Sequence, residues 1–167
     1  HTVVYGLTIH RQRMGGKRIV VGGSSLNFDY AHFLPSSPKC GVIHGHTATV
    51  KVAVRGGLVN DMVVEFGELK ELVKSVISQM DHKLILSKKY VEMVDGGHAL
   101  IRFHGIGGEY KLETPLSSLY IMDEESTSEN ISAHIAGRLM SKMPRNIGRV
   151  YVKVSEGLGK WSISTIQ

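Results

Sequence analysis

The chain has 167 residues, 42% hydrophobic and 21% charged, which supplies a real core for one domain over 1–167 and excludes a disordered polar chain. Its formal charge of +5, from 20 Lys and Arg against 15 Asp and Glu, favours anionic partners; with little aromatic interleaving and no RNA-binding loop, a phosphorylated small molecule is expected rather than nucleic acid. No apolar run approaches the roughly 20 residues of a membrane helix, HTVVYGLTIHRQRM at the N-terminus does not read as a signal peptide, and the single cysteine allows no internal disulfide, so a cytoplasmic protein with no membrane partner is expected.

TVVYGLTIH (2–10) and KRIVVGGSSLNFDYAH (17–32) both read as strand-rich, with Gly15-Gly16 between them as a hairpin turn. HTATVKVAVRG (46–56) is a strand in which Val50, Val52 and Val54 alternate with Lys51, Ala53 and Arg55. GGLVNDM then turns the chain. EFGELKELVKSVISQM (65–80) has helical periodicity: Phe66, Leu69, Leu72, Val73, Val76, Ile77 and Met80 form one apolar stripe. ALIRF (99–103) and EYKLE (109–113) flank HGIGG as a second hairpin; a turn explains that glycine-rich stretch better than a phosphate loop. Ser126 and Glu129 have capping-box spacing, so a second helix is predicted from near residue 127, with Ile131, Ile135, Leu139 and Met140 on its apolar face. Pro144 and Gly148 mark its end. RVYVKVSE (149–156) is a last alternating strand. This order predicts an α+β fold, a mainly antiparallel sheet with helices on one side. The sheet's edges need cover, which oligomerisation would provide.

The chemistry gathers in AHFLPSSPKCGVIHGH (31–46), which holds His32, Cys40, His44 and His46. His44 and His46 are two apart at the start of a strand, so their side chains share a face. Gly45 between them would let another backbone or a substrate approach. If the strand ending at His32 pairs with 46–56, a third imidazole reaches the same point. Three histidines with an open fourth position is the pattern of catalytic zinc; the alternative is three unrelated histidines. Cys40 stands as an inert core thiol, a metal ligand or a reactive thiol.

This segment resembles the 6-pyruvoyltetrahydropterin synthase and 6-carboxytetrahydropterin synthase family. The resemblance rests on landmarks in order: Ala31-His32, Cys40, His44-Gly45-His46, DMVVEF (61–66), Asp81-His82 followed by Leu84 and Leu86, Thr127-Ser128-Glu129-Asn130, and Glu156 in VKVSEG. The chain departs from the family pattern at Glu65, where Asp is usual, and at Gly157, where Thr is common. It also carries an N-terminal extension of about 1–25 and a hairpin insert of about 92–122.

The resemblance implies the tunnelling fold: a four-stranded antiparallel sheet with two helices packed on one face, three subunits closing a β-barrel and two trimers forming a hexamer. It implies 7,8-dihydroneopterin triphosphate as substrate and Zn²⁺ as cofactor, held by His32, His44 and His46 and acting as a Lewis acid. Cys40 becomes the general base, a role open to a thiol near neutral pH once a nearby cation lowers its usual pKa. Asp81 and His82 become the proton relay. Glu156 pairs with the pterin N–H groups, and Thr127 adds a hydrogen bond. Three residues, Gly41-Val42-Ile43, separate Cys40 from His44. That short form resembles the 6-carboxytetrahydropterin synthase branch, which releases acetaldehyde and triphosphate and feeds 7-deazapurine (queuosine and archaeosine precursor) synthesis. The 6-pyruvoyltetrahydropterin branch, which eliminates triphosphate and keeps the three-carbon chain, is the alternative. A non-catalytic pterin binder on the same fold and a structural zinc protein are the other classes.

Overall fold

The valine alternation that marks a half-buried strand recurs in two long segments, and these form the centre of the sheet. The computed structural model describes residues 16–167; the strand expected over 2–10 and Gly15 lie outside the described residues. The strands are β1 (Lys17–Val21), β2 (Asn27–His32), β3 (His44–Gly56), β4 (Lys83–Ser87), β5 (Val91–Asp95), β6 (His98–Gly105), β7 (Gly108–Pro115), β8 (Leu119–Met122), β9 (Ile147–Ser155) and β10 (Trp161–Ile166). The helices are α1 (Phe66–Ile77) and α2 (Ser128–Met140).

The main sheet has the order β10-β9-β3-β2-β4-β8, with β1 also paired to β3. The 13-residue β3 is long enough to serve two partners on the same edge. Its first half pairs antiparallel with β2, from His32↔His44 to Asn27↔Thr49. Its second half pairs with β1, from Val21↔Val52 to Lys17↔Gly56. The stretch 17–32 is therefore two strands, broken at the turn where Gly23 takes φ +117, a conformation suited to glycine.

Among the described residues, seven strands, not four, make this sheet. Strands β4 and β8 join beside β2 through parallel pairings; each is a short apolar run without alternation, which periodicity cannot tell from a buried helical turn. Strand β10 returns antiparallel along β9 after a tight turn. Its inward positions are Ser162 and Ser164, which bond Ser128 and Ser132 of α2, while Trp161 and Ile163 are exposed. The usual polarity of a half-buried strand is reversed there, so the pattern gave no strand signal.

Val50, Val52, Val54, Val150, Val152 and Val154 face the helices and are buried with Phe28, Leu69, Val73, Val76, Ile131, Ile135 and Leu139. Phe66, assigned to the apolar stripe of α1, is instead exposed. The cap of α2 is Thr127, whose side chain accepts from the Asn130 N–H at 3.2 Å. Ser126, at the capping-box position, keeps its hydroxyl buried without a partner and has another use, described below.

The expected hairpin is β6–β7, and β5 extends it to a separate three-stranded sheet. That sheet has its own core: Ala99, Ile101 and Phe103 pack with Phe33, Leu86 and Leu119, with Ile43 and Tyr110 against them. Phe33 and Ile43 flank the segment that carries Cys40. No helix among the described residues is long and apolar enough to cross a membrane.

Candidate metal centre and its surroundings

On β3, His44 and His46 continue the inward row of Ala48, Val50, Val52 and Val54, so both imidazoles stand on the helix-facing side at the end of the core. On β2, His32 continues the row of Phe28 and Tyr30. The His32↔His44 register brings the third ring in. Ring centroids are 4.6 Å apart for His32 and His44, 5.1 Å for His32 and His46, and 4.9 Å for His44 and His46. One ligand nitrogen from each lies within 4.8 Å of the others.

The hydrogen bonds assign which nitrogen is free. His32 Nδ1 is 2.7 Å from the Ser126 carbonyl oxygen, and His44 Nδ1 is 2.7 Å from the Val42 carbonyl oxygen. A carbonyl only accepts, so each Nδ1 carries the proton and each Nε2 presents a lone pair. This is where Ser126 matters: its carbonyl, not its hydroxyl, orients a ring. The two Nε2 atoms face each other at 3.1 Å. Two lone pairs at that distance repel unless a cation lies between them. His46 Nε2 is also buried with no hydrogen-bond partner. His32 is fully buried, and burial pushes its pKa down to about 4 against the opposing pull of its bond to Ser126. Burial likewise lowers His46, opposed by Glu156. Both shifts favour the neutral imidazole, the form a metal requires. The donor set fits a divalent metal ion, and the backbone carbonyls behind the rings are the usual outer support for such ligands.

Glu156 follows β9 and places Oε1 3.6 Å from His46 Nε2. Its N–H donates to the Lys160 carbonyl oxygen at 2.9 Å, closing the turn into β10. Gly157, the departure from the family pattern, has φ +67 there, a conformation that a β-branched Thr would strain. Thr127, Glu156, Leu34, Ser128, Lys160 and Trp161 line one cleft of about 250 Å³. The two substrate-binding candidates therefore share a cavity, and one of them borders the imidazole cluster.

Cys40 lies on a half-exposed loop. Its carbonyl accepts from the Leu34 N–H at 2.6 Å, and its own N–H donates to Ser37 Oγ at 3.3 Å. Its sulfur is not part of the three-imidazole group.

Asp81 and His82 gather elsewhere. The side chains of Asp29 and Thr47 alternate to the outer face of the sheet, away from the histidines, and Thr47 Oγ1 donates to Asp29 Oδ1 at 2.5 Å. Asp81 Oδ1 accepts from the Asp29 N–H at 2.9 Å, and Asp81 Oδ2 is 3.0 Å from His82 Nδ1. The His82 N–H donates to the Asp29 carbonyl oxygen at 2.7 Å, with His82 at φ +56, uncommon for a residue other than glycine. The Asp29 N–H, followed by His82, holds the Asp81 carboxyl below its usual range. Both side chains are open, 41% exposed for Asp81 and 77% for His82. Within one chain this pair and the imidazole cluster occupy opposite faces. Asp29 was not singled out in the sequence, although its outward register one residue before Tyr30 was readable. The orienting role of Ser126 had no signal, since it uses the backbone.

A family model described as 6-pyruvoyl tetrahydropterin synthase matches residues 24–165. A Methanocaldococcus jannaschii protein provisionally named 6-carboxy-5,6,7,8-tetrahydropterin synthase is 30% identical over 148 residues, covering 82% of this chain and 88% of that one. A Rickettsia conorii 6-carboxy-5,6,7,8-tetrahydropterin synthase is 28% identical over 122 residues, covering 71% and 78%. Among solved structures, Plasmodium vivax 6-pyruvoyltetrahydropterin synthase has the same fold, with a TM-score of 0.77 at 22% identity over 91% of this chain and 98% of that one. The ordered landmarks, the three converging imidazoles and the match across nearly the whole described region agree, and the chain belongs to the 6-pyruvoyl tetrahydropterin synthase family of pterin-metabolising lyases.

Proposed function

We propose that the protein is a zinc-dependent lyase that converts 7,8-dihydroneopterin triphosphate and water to 6-carboxy-5,6,7,8-tetrahydropterin, acetaldehyde and triphosphate, a step in 7-deazapurine synthesis. The observation that carries this reading is the trio of converging imidazoles, with the Nε2 atoms of His32 and His44 held face to face, bordering the cleft that holds Thr127 and Glu156. The short Gly41-Val42-Ile43 spacing and the names of the matched relatives support the 6-carboxy branch.

His32, His44 and His46 are the zinc ligands. Zn²⁺ held there supplies Lewis acidity toward the oxygens of the substrate side chain. Glu156 takes the N–H groups of the pterin ring, and the Thr127 hydroxyl adds a hydrogen bond. Together they fix which side-chain carbon is presented to the base. Cys40 removes the proton from that carbon. Asp81 and His82 relay protons, with Asp81 orienting the His82 ring through the contact to Nδ1. Because the relay pair is on the outer face of its own chain, a second subunit delivers it. The oligomer implied by the family, trimers closing a barrel and pairing into a hexamer, would bring that face to a neighbour's cleft.

The test is to incubate the zinc-loaded protein with 7,8-dihydroneopterin triphosphate and identify the products by mass. Acetaldehyde with a carboxypterin is the expected outcome. A pyruvoyl pterin would move the protein to the 6-pyruvoyltetrahydropterin branch. Absence of turnover by zinc-loaded protein would overturn both enzymes in favour of a non-catalytic binder.

A further inference from the structure

Beside Cys40, at Gly41, the insert sheet approaches the loop at backbone distance. A Cβ on Gly105, at the end of β6, would fall well inside contact distance of the Gly41 carbonyl oxygen, and would lie 3.1 Å from the Tyr110 ring and 3.2 Å from the Phe103 ring. From the other side, a Cβ on Gly41 would be 3.3 Å from Ile106 Cγ1 and 3.4 Å from the Ile106 nitrogen. The two strands of chain are thus in contact at two glycines, one of them next to Cys40.

Behind this contact the insert is closely packed. Phe103 stacks on Phe33 at 3.7 Å with 9° between planes, and on Tyr110 at 4.7 Å with 6°. The Tyr110 hydroxyl donates to the Ile106 carbonyl oxygen at 3.0 Å, tying the tip of the hairpin to the stack. Phe33 follows the ligand His32, and Ile43 precedes His44; both pack in the insert's core. The loop from 33 to 43 is therefore held by the insert at both ends and at Gly41 beside Cys40. Its internal bonds, Cys40 to Leu34 and Cys40 to Ser37, fix its shape but not its place.

We propose that the three-stranded insert is the positioning element for the Cys40 loop, with Gly105 the residue that sets how closely the loop docks. Gly105 acts through Cys40 and is a positioning residue. The inference rests on the reading of Cys40 as the base, since proton abstraction is sensitive to placement: about 1 Å of displacement can cost on the order of 100-fold in rate.

The experiment compares Gly105→Ala with Gly107→Ala. Gly107 lies in the same turn at φ +83, with nothing within 4 Å of an added Cβ, so its substitution stresses the hairpin without touching the loop. Two readouts are taken: kcat and KM with dihydroneopterin triphosphate, and the rate at which iodoacetamide alkylates Cys40, the chain's one cysteine. Gly105→Ala is expected to lower kcat roughly 10- to 100-fold with little change in KM, to change the alkylation rate several-fold, and to keep zinc. Gly107→Ala is expected to change neither. Ile106→Ala, which removes a half-exposed side chain and leaves the backbone contact, should give the same signature more weakly, and it carries the test if Gly105→Ala does not fold. Equal effects of the Gly105 and Gly107 substitutions, or an unchanged alkylation rate in Gly105→Ala and Ile106→Ala, would overturn the proposal. If Cys40 is not the base, kcat stops reporting on it, but the alkylation rate still decides whether the insert positions the loop.

Discussion

Cys40→Ala is expected to bind zinc at the wild-type stoichiometry and to lose turnover by about 100- to 10,000-fold, the usual contribution of a positioned acid or base. The two effects separate because the thiol and the imidazoles are held by different parts of the chain. Cys40 is outside the group of converging ligand nitrogens, and its loop bonds run through backbone atoms and Ser37, which alanine preserves. The half-exposed side chain leaves no large void when truncated. Metal content by atomic emission and turnover by product mass are the measurements. Full activity in this variant would remove Cys40 from the mechanism.

His44→Ala is expected to do the reverse, abolishing metal binding first and turnover as a consequence. Loss of an outer support for a ligand ordinarily weakens metal affinity by about 10- to 100-fold, so loss of the ligand itself should exceed that. His44 is the informative choice because it is only half-buried; His32 is fully enclosed, and its removal would confound binding with a cavity in the core. His134→Ala is the matching control. That imidazole, 2.6 Å from the Tyr120 hydroxyl, belongs to neither cluster, and its variant should keep the metal. Equal zinc retention by the His44 and His134 variants would count against the proposed centre.

The outcome of reading the sequence depended on whether a residue's role followed from strand alternation. The shared face of His44 and His46 did, and pairing with the strand ending at His32 was enough to bring in the third ring. The valine rows of β3 and β9 and the stripe of α1 were legible for the same reason, although Phe66 left the stripe at its exposed first turn. The strands that escaped notice break that rule. Strands β4 and β8 are too short to alternate, and β10 turns serines inward against α2. In the site, the ordered landmarks carried Thr127 and Glu156 to a common cleft. Spacing had no access to the carbonyl of Ser126, because any residue has a carbonyl, or to the contact between Gly41 and Gly105, which joins segments 64 positions apart through atoms that every sequence shares.

The placement of Asp81 and His82 on the face opposite the imidazoles bears on how the protein behaves at low concentration. If the centre is completed by a neighbour as proposed, it obeys mass action: on dilution below the dissociation constant of the subunits, specific activity should fall steeply while each separated chain keeps its fold and its three imidazoles together. The organism would then need to maintain a threshold abundance of this polypeptide, below which further losses in expression reduce flux more than proportionally.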